Sequence, residues 1–225
     1  LIKSINSSLK NIGLILFDID GVIRSVENSY RLSLKKTVFK FSGWEPSYKD
    51  IDCAKNEGIW NNDWDLSLEL IKRFIKTENL KLQIPSRDEI VKCFEEFYFG
   101  GDPHKDSEYW SGFITNEELL VDKKFFDLLQ SNGIVWGFVS GAEPASAKFV
   151  LEKRLGLKSP PLISMGDAPD KPDPKGFINL SKKLIGDKLG ESNIPIAYVG
   201  DTIADINTVM NARKEIPSQK FISIG

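Results

Sequence analysis

Ile12-Gly13-Leu14-Ile15-Leu16-Phe17-Asp18-Ile19-Asp20-Gly21 is the stretch on which the fold turns. Residues Ile12 to Phe17 are all apolar or glycine, as in a strand buried on both faces. Gly21 suits a sharp turn out of that strand. In extended chain the side chains at i and i+2 point the same way, so Asp18 and Asp20 project together past the strand's carboxyl end. Open α/β sheets place their ligand crevice there. Two carboxylates so close repel unless a cation or a shared proton relieves them. The pair therefore indicates a divalent metal site, or a nucleophile beside a general acid. An Asp-Gly after a strand is also a common turn, so the rest of the chain has to decide.

Three later segments repeat the pattern of an apolar run ending in polar residues. Ile134 to Val139 reads as a strand closed by Ser140-Gly141. Leu162 to Met165 reads as a short strand, followed by Asp170-Lys171-Pro172-Asp173-Pro174. Ile196 to Val199 is closed by Gly200-Asp201-Thr202, and Phe221 to Ile224 can form a final strand. Helical periods lie between them. Thr115 to Glu118 reads as a capping box opening a helix through Leu119, Leu120, Phe125, Phe126, Leu128 and Leu129, with Gly133 as its stop. Another helix starts at Pro144 and ends at Gly156, and Asp173 with Pro174 marks the start of a third. Alternating strands and helices imply right-handed crossovers and a mainly parallel, Rossmann-like sheet. Such a sheet carries Asp18, Asp20, Ser140 and Asp201 to one edge, within reach of Lys171.

Residues 24–105 interrupt this pattern with an all-helical insert. Tyr30, Leu34, Val38 and Phe41 mark one apolar face, and Leu66, Leu70, Phe74 and Ile75 another. Ser86 to Glu89 forms a further capping box. The chain thus divides into an α/β core of residues 1–23 and 106–225 and a helical cap of residues 24–105. Gly21 and Gly100-Gly101 are the candidate hinges.

Composition excludes several alternatives. The 225 residues are 41% hydrophobic and 28% charged with a net charge of −2, an ordinary globular balance without the basic stripe of a nucleic-acid binder. No apolar run approaches the ~20 residues that span a bilayer, and no signal-peptide pattern is present. The chain begins at Leu1 rather than Met, which leaves room for an upstream segment. Two widely separated cysteines, Cys53 and Cys93, suit a reducing compartment, so a cytoplasmic location is expected. One histidine, His104, weighs against zinc sites and Ser-His-Asp hydrolysis. Neither GxxxxGK nor GxGxxG occurs.

Each residue has a plain structural role open to it alone: Ser140 and Asp201 as caps, Lys171 as a surface lysine, Asp205 as a helix-face acid. Their joint order is what carries weight. Phe17-Asp18-Ile19-Asp20-Gly21, Val139-Ser140-Gly141, Lys171-Pro172-Asp173-Pro174 and Gly200-Asp201-Thr202-Ile203-Ala204-Asp205 together resemble the haloacid dehalogenase superfamily, in its helical-cap branch (subfamily I). The resemblance covers nearly the whole chain. It departs from the family after the last motif, where Ala212-Arg213-Lys214 stands in place of the frequent Ala-Gly pair.

The resemblance implies a Mg²⁺-dependent phosphohydrolase acting on a small phosphorylated metabolite, with Asp18 forming an aspartyl-phosphate and Asp20 as acid and base. It assigns the metal to Asp18, the backbone carbonyl of Asp20, and Asp201, with Asp205 in support. Ser140 and Gly141 would bind phosphate, and Lys171 would neutralise it. The cap would choose the substrate: Arg24 could meet a second anionic group, and Asn61 and Asn62, in Trp60-Asn61-Asn62-Asp63-Trp64, could line the site. A sugar phosphomutase shares this chemistry. A receiver-like binding module lacks the DxDG order and the insert, and the family's dehalogenases typically lack the second aspartate. No nucleic-acid or membrane partner is expected, and monomer and homodimer both remain open.

Overall fold

The computed structural model describes residues 13–60, 62–190 and 194–225. The chain divides into two compact units, one of residues Leu1–Ser25 with Leu119–Gly225, the other of residues Val26–Glu118.

The first unit is built on five parallel strands in the order β3-β2-β1-β4-β5. These are β1 (Gly13–Phe17), β2 (Ile134–Val139), β3 (Leu162–Ile163), β4 (Ile196–Val199) and β5 (Phe221–Ile224). Ile12, expected at the start of β1, lies outside the described residues. β1 is central, with Phe17 level with Phe138 of β2 and with Val199 of β4. That register brings the carboxyl ends of three strands to one level, and Asp18, Ser140 and Gly200 each follow directly.

The two-residue period of β1 separates its side chains between two cores. Ile15 and Phe17 join Phe126, Leu129, Phe138, Val150 and Leu151. Leu14 and Leu16 join Phe177, Leu180, Tyr198, Val209 and Phe221 on the opposite face. The first layer comes from two helical segments. α5 is Lys123–Ser131, and α6 is Pro144–Lys148, continued as a π-helical segment over Phe149–Arg154. The second comes from α7 (Lys175–Ile185) and α8 (Ile203–Glu215). With helices on both faces, β1 needs no polar side, which is why its sequence is unbroken by polar residues.

α5 begins seven residues later than its sequence suggests, at an Asp122 N-cap whose carboxylate accepts from Phe125 N–H. Thr115 does not cap it. Thr115 lies in a 3₁₀ turn, Phe113–Asn116, and its hydroxyl donates to Gly112 O. Leu119 instead forms an isolated bridge with Arg24, and Leu120, in the bend that follows, donates its N–H to Ile23 O. The N-cap of α7 is Pro174 rather than Asp173, which instead accepts from Lys175 N–H.

The second unit is helical: α1 (Tyr30–Ser42), α2 (Tyr48–Lys55), α3 (Asp63–Thr77) and α4 (Arg87–Phe99), with α1 against α3 and α4. Leu34, Val38, Leu66, Leu70, Ile71, Ile90 and Phe94 are its buried centre. Ser86 and Glu89 form the expected capping box, and Ser47 with Asp50 forms another. The unit ends at residue 118 and not at 105, because the segment after α4 packs back on the helices. Trp110 lies 4.6 Å from Phe99, ring to ring, and buried Glu117 accepts from Ser29 Oγ at 2.7 Å and Tyr98 OH at 3.0 Å. Burying that carboxylate is tolerable because hydroxyl donors compensate it.

Gly100 falls inside this unit, away from both connections to the core, so it is no hinge between them. It adopts φ 69°, and a side chain on Gly112 would run into Gly100 N, Phe99 C and Tyr98 O. The close passage of the two backbones is what requires glycine there. Gly112→Ala should therefore destabilise the fold by about 1–3 kcal/mol, as overpacked sites do, read as a lower urea midpoint. An unchanged midpoint would mean that the crossing opens at no cost.

Candidate active site

Asp18 directly follows β1 and donates its N–H to Val199 O of β4, so the sheet itself fixes the start of the loop. The Asp18 carboxylate is buried. Its Oδ1 accepts from Ile19 N–H at 2.7 Å and its Oδ2 from Lys171 Nζ at 2.8 Å. Lys171 arrives from the loop before α7 and also donates to Asp205 Oδ1 at 2.6 Å and to Tyr198 OH at 3.3 Å. A lysine ammonium has three protons and no acceptor, and here each proton has its oxygen.

Tyr198 is the member of this group that its sequence does not announce. It is fully buried in β4, and its hydroxyl donates to Val139 O at 2.6 Å. Val139 immediately precedes Ser140, so one phenol ties the Ser140 strand end to the lysine. A signal does exist: a tyrosine inside an otherwise aliphatic buried strand must find a hydroxyl partner.

Asp205 does two things at once. Its Oδ1 meets Lys171, while its Oδ2 accepts from Thr202 N at 3.0 Å and Thr202 Oγ1 at 2.6 Å, closing the capping box of α8. Asp201, one residue before that N-cap, is exposed. Gly21 adopts φ 75°, and any side chain there would overlap the Asp201 carboxylate. Glycine at the turn thus admits Asp201 to the cluster. Asp18, Asp201 and Asp205 each offer a carboxylate oxygen, and these lie within 4.8 Å of one another. Closely set hard oxygen donors fit a divalent cation.

Desolvation dominates the electrostatics. Burial pushes the Asp18 carboxyl up to about 6 against the pull of Lys171, with Asp205 and Asp20 adding repulsion. Desolvation and the charge of Asp205 likewise raise Asp201. Burial alone would depress the Lys171 ammonium, but Asp18 and Asp205 outweigh it and hold it above its ordinary value. Tyr198 is raised by burial and by the same two carboxylates, so it stays a neutral phenol.

Ser140 is buried, with its N–H donated to Ile163 O and its Oγ accepting from Ala142 N–H at 3.1 Å. Its hydroxyl proton remains available to a ligand. Gly141 follows, exposed, with open space where a side chain would stand. Arg24 is fully buried, and its Nε donates to Asp20 Oδ1 at 2.7 Å. A side chain sealed from solvent and committed to Asp20 is poorly placed for the second anionic group expected from sequence. Asn62 is the N-cap of α3, its Oδ1 accepting from Trp64 N–H and Asp65 N–H, so that oxygen serves the helix. Asn61 lies outside the described residues.

Two outcomes test this electrostatic reading. Tyr198→Phe strands the Val139 carbonyl and one lysine proton, so it should cost about 1–3 kcal/mol in urea unfolding. Exposed Tyr109→Phe should cost under about 0.5 kcal/mol, and equal effects at the two positions would remove Tyr198 from the network. The second concerns pH. Because the folded Asp18 carboxyl titrates near 6 and its ordinary value is 3.8, its contribution to stability is fully present below 3.8 and lost as pH rises through 6. A cation must displace the proton held below 6, so its binding should weaken by about tenfold from about pH 7.5 to about pH 5. Thermal shifts with a divalent cation read this directly, and pH-independent shifts would contradict it.

Known proteins resemble this chain in sequence and in fold. The family described as haloacid dehalogenase-like hydrolase matches residues 12–212. An imidazoleglycerol-phosphate dehydratase of Phytophthora nicotianae is 30% identical over 195 residues, covering 85% of this chain. The chain spans only 40% of that relative's length. Phosphatase Tt82 from Thermococcus thioreducens has a similar structure (TM-score 0.70, 22% identity, 94% of this chain and 92% of that one). So does a predicted phosphoglycolate phosphatase from Haemophilus somnus (TM-score 0.64, 18% identity, 90% and 83%). With its strand-end aspartates, its lysine and a match that covers most of its length, the chain belongs to the haloacid dehalogenase-like hydrolases.

Proposed function

We propose that this chain is a divalent-metal-dependent phosphomonoesterase that acts on a small phosphorylated metabolite through a phosphorylated Asp18. The observation that supports it most is the Lys171 ammonium held between Asp18 and Asp205. Burial of a carboxylate calls for a paired cation whatever its role; what supports chemistry is that one ammonium is shared by two carboxylates and that a third, exposed carboxylate, Asp201, stands in the same cluster.

Asp18 attacks phosphorus, the bond to the ester oxygen breaks, and Asp20 gives its proton to that leaving oxygen. Water then attacks the phosphorylated Asp18, its proton passes to Asp20, and phosphate and the free carboxylate are released. Lys171 offsets the charge of the incoming phosphate and keeps Asp18 aligned, while the Ser140 hydroxyl and Gly141 N–H bind phosphoryl oxygens. Mg²⁺ is the cation proposed, held by Asp18, Asp201 and the main-chain carbonyl of Asp20 with Asp205 in support, and it would neutralise charge developing on the phosphoryl group. The helical unit is assigned the choice of substrate. Free thiols at Cys53 and Cys93 suit a reducing compartment, which supports a cytoplasmic location.

The test is phosphate release from a panel of metabolite phosphates, with and without Mg²⁺, beside Asp18→Asn. The panel includes imidazoleglycerol phosphate because the Phytophthora nicotianae relative bears the name of a dehydratase of that compound. Release that needs Mg²⁺ and falls by at least about 10³-fold in Asp18→Asn is expected, as for loss of a nucleophile. Release that survives Asp18→Asn would overturn the reading, and activity that appears only with a sugar bisphosphate would redirect it to a phosphomutase.

A further inference from the structure

The proposed reaction gives Asp20 two proton transfers, so its carboxyl must present the same oxygen twice. Arg24 is built to enforce this. Its Nε donates to Asp20 Oδ1 at 2.7 Å, and its side chain is 0% exposed while that of Asp20 is 30% exposed. The anchored partner is thus sealed, and the proton carrier is open to substrate and water.

The backbone holds Arg24 as firmly as its side chain holds Asp20. Gly21 N–H donates to Arg24 O at 2.9 Å, and Arg24 N–H donates to Ile19 O at 3.1 Å. On its other side Arg24 is bridged to Leu119, and Leu120 N–H donates to Ile23 O at 2.9 Å. The turn from Ile19 to Arg24 is therefore closed on itself and stapled to the returning chain. A guanidinium suits the task for a chemical reason. It stays charged and has no acceptor, so it orders a carboxyl without taking or giving the proton in transit.

Resting on the phosphomonoesterase reading, we infer that Arg24 is the positioning residue for Asp20, its Nε occupying Oδ1 so that Oδ2 alone carries the transferred proton. In the first step that proton leaves Asp20 Oδ2 for the ester oxygen as the P–O bond breaks and the bond from Asp18 to phosphorus forms. In the second a water proton returns to Oδ2 as the water oxygen bonds phosphorus and Asp18 is released. Arg24 is unchanged throughout. This role replaces that of a substrate-anion receptor, for which its burial leaves no access.

Leaving groups give the experiment. An alkyl alcohol needs protonation to depart, and a nitrophenol does not. kcat/KM reports the chain of events up to phosphorylation of Asp18 and omits its hydrolysis. Arg24→Met should lower kcat/KM for an alkyl phosphate by at least about tenfold, and for p-nitrophenyl phosphate by no more than about threefold, since general acid catalysis is worth about 10²–10⁴-fold where it is needed. In an Asp20→Asn background the same substitution should add less than about twofold, because the two residues then share one function. If Arg24→Met does not fold, Arg24→Lys, which keeps the charge and loses the Nε geometry, carries the same expectation. Equal losses on both substrates, or a full additional loss in the Asp20→Asn background, would overturn the role. So would a selective rise in KM for substrates with a second anionic group, the mark of a receptor. Wild-type protein that cleaves neither substrate would instead bring down the phosphomonoesterase reading itself.

Discussion

The site rests on the saturation of one ammonium. Lys171 has three protons, and three oxygens meet them: Asp18 just after β1, Tyr198 within β4 and Asp205 in the first turn of α8. Two of these are carboxylates that would repel each other without it, and the third adds an acceptor without adding charge. A third carboxylate, Asp201, stands beside them near the surface. The protein thereby concentrates negative charge at one edge of its sheet, and a single internal cation keeps that concentration compatible with folding.

The sheet supplies what the ammonium cannot, which is distance. Parallel strands in register end at one level, and β1 is sandwiched so completely that its carboxyl end has little freedom to shift. Close packing on both faces transmits the position of Phe17 to Asp18. Tyr198 adds a cross-tie, since its hydroxyl spans from β4 to the last carbonyl of β2 and passes beneath the lysine.

The core and the carboxylate cluster were legible because their physics is local. An unbroken apolar strand, an i,i+2 acid pair and a glycine turn are written in consecutive residues and place Asp18, while Lys171, Asp201 and Asp205 stand out through the joint order of four such motifs and the family resemblance that this order carries. Three features were not local. Tyr198 has a partner 59 residues away, and nothing beside it in sequence names that partner. Arg24 reads as a free cation until its burial is known. Thr115 to Glu118 has the composition of a capping box, but Glu117 finds better donors in Ser29 and Tyr98, and the helix waits for Asp122. In each case a long-range contact outweighs a local preference, which is how tertiary structure ordinarily overrides propensity.

Asp205 shows how little room such an arrangement leaves for change. One of its oxygens starts α8 and the other steadies Lys171. Shortening, lengthening or neutralising it alters a secondary-structure boundary and an electrostatic balance in the same stroke. A lineage exploring new substrates therefore finds this position closed to drift, whereas residues that carry only one duty remain open to it.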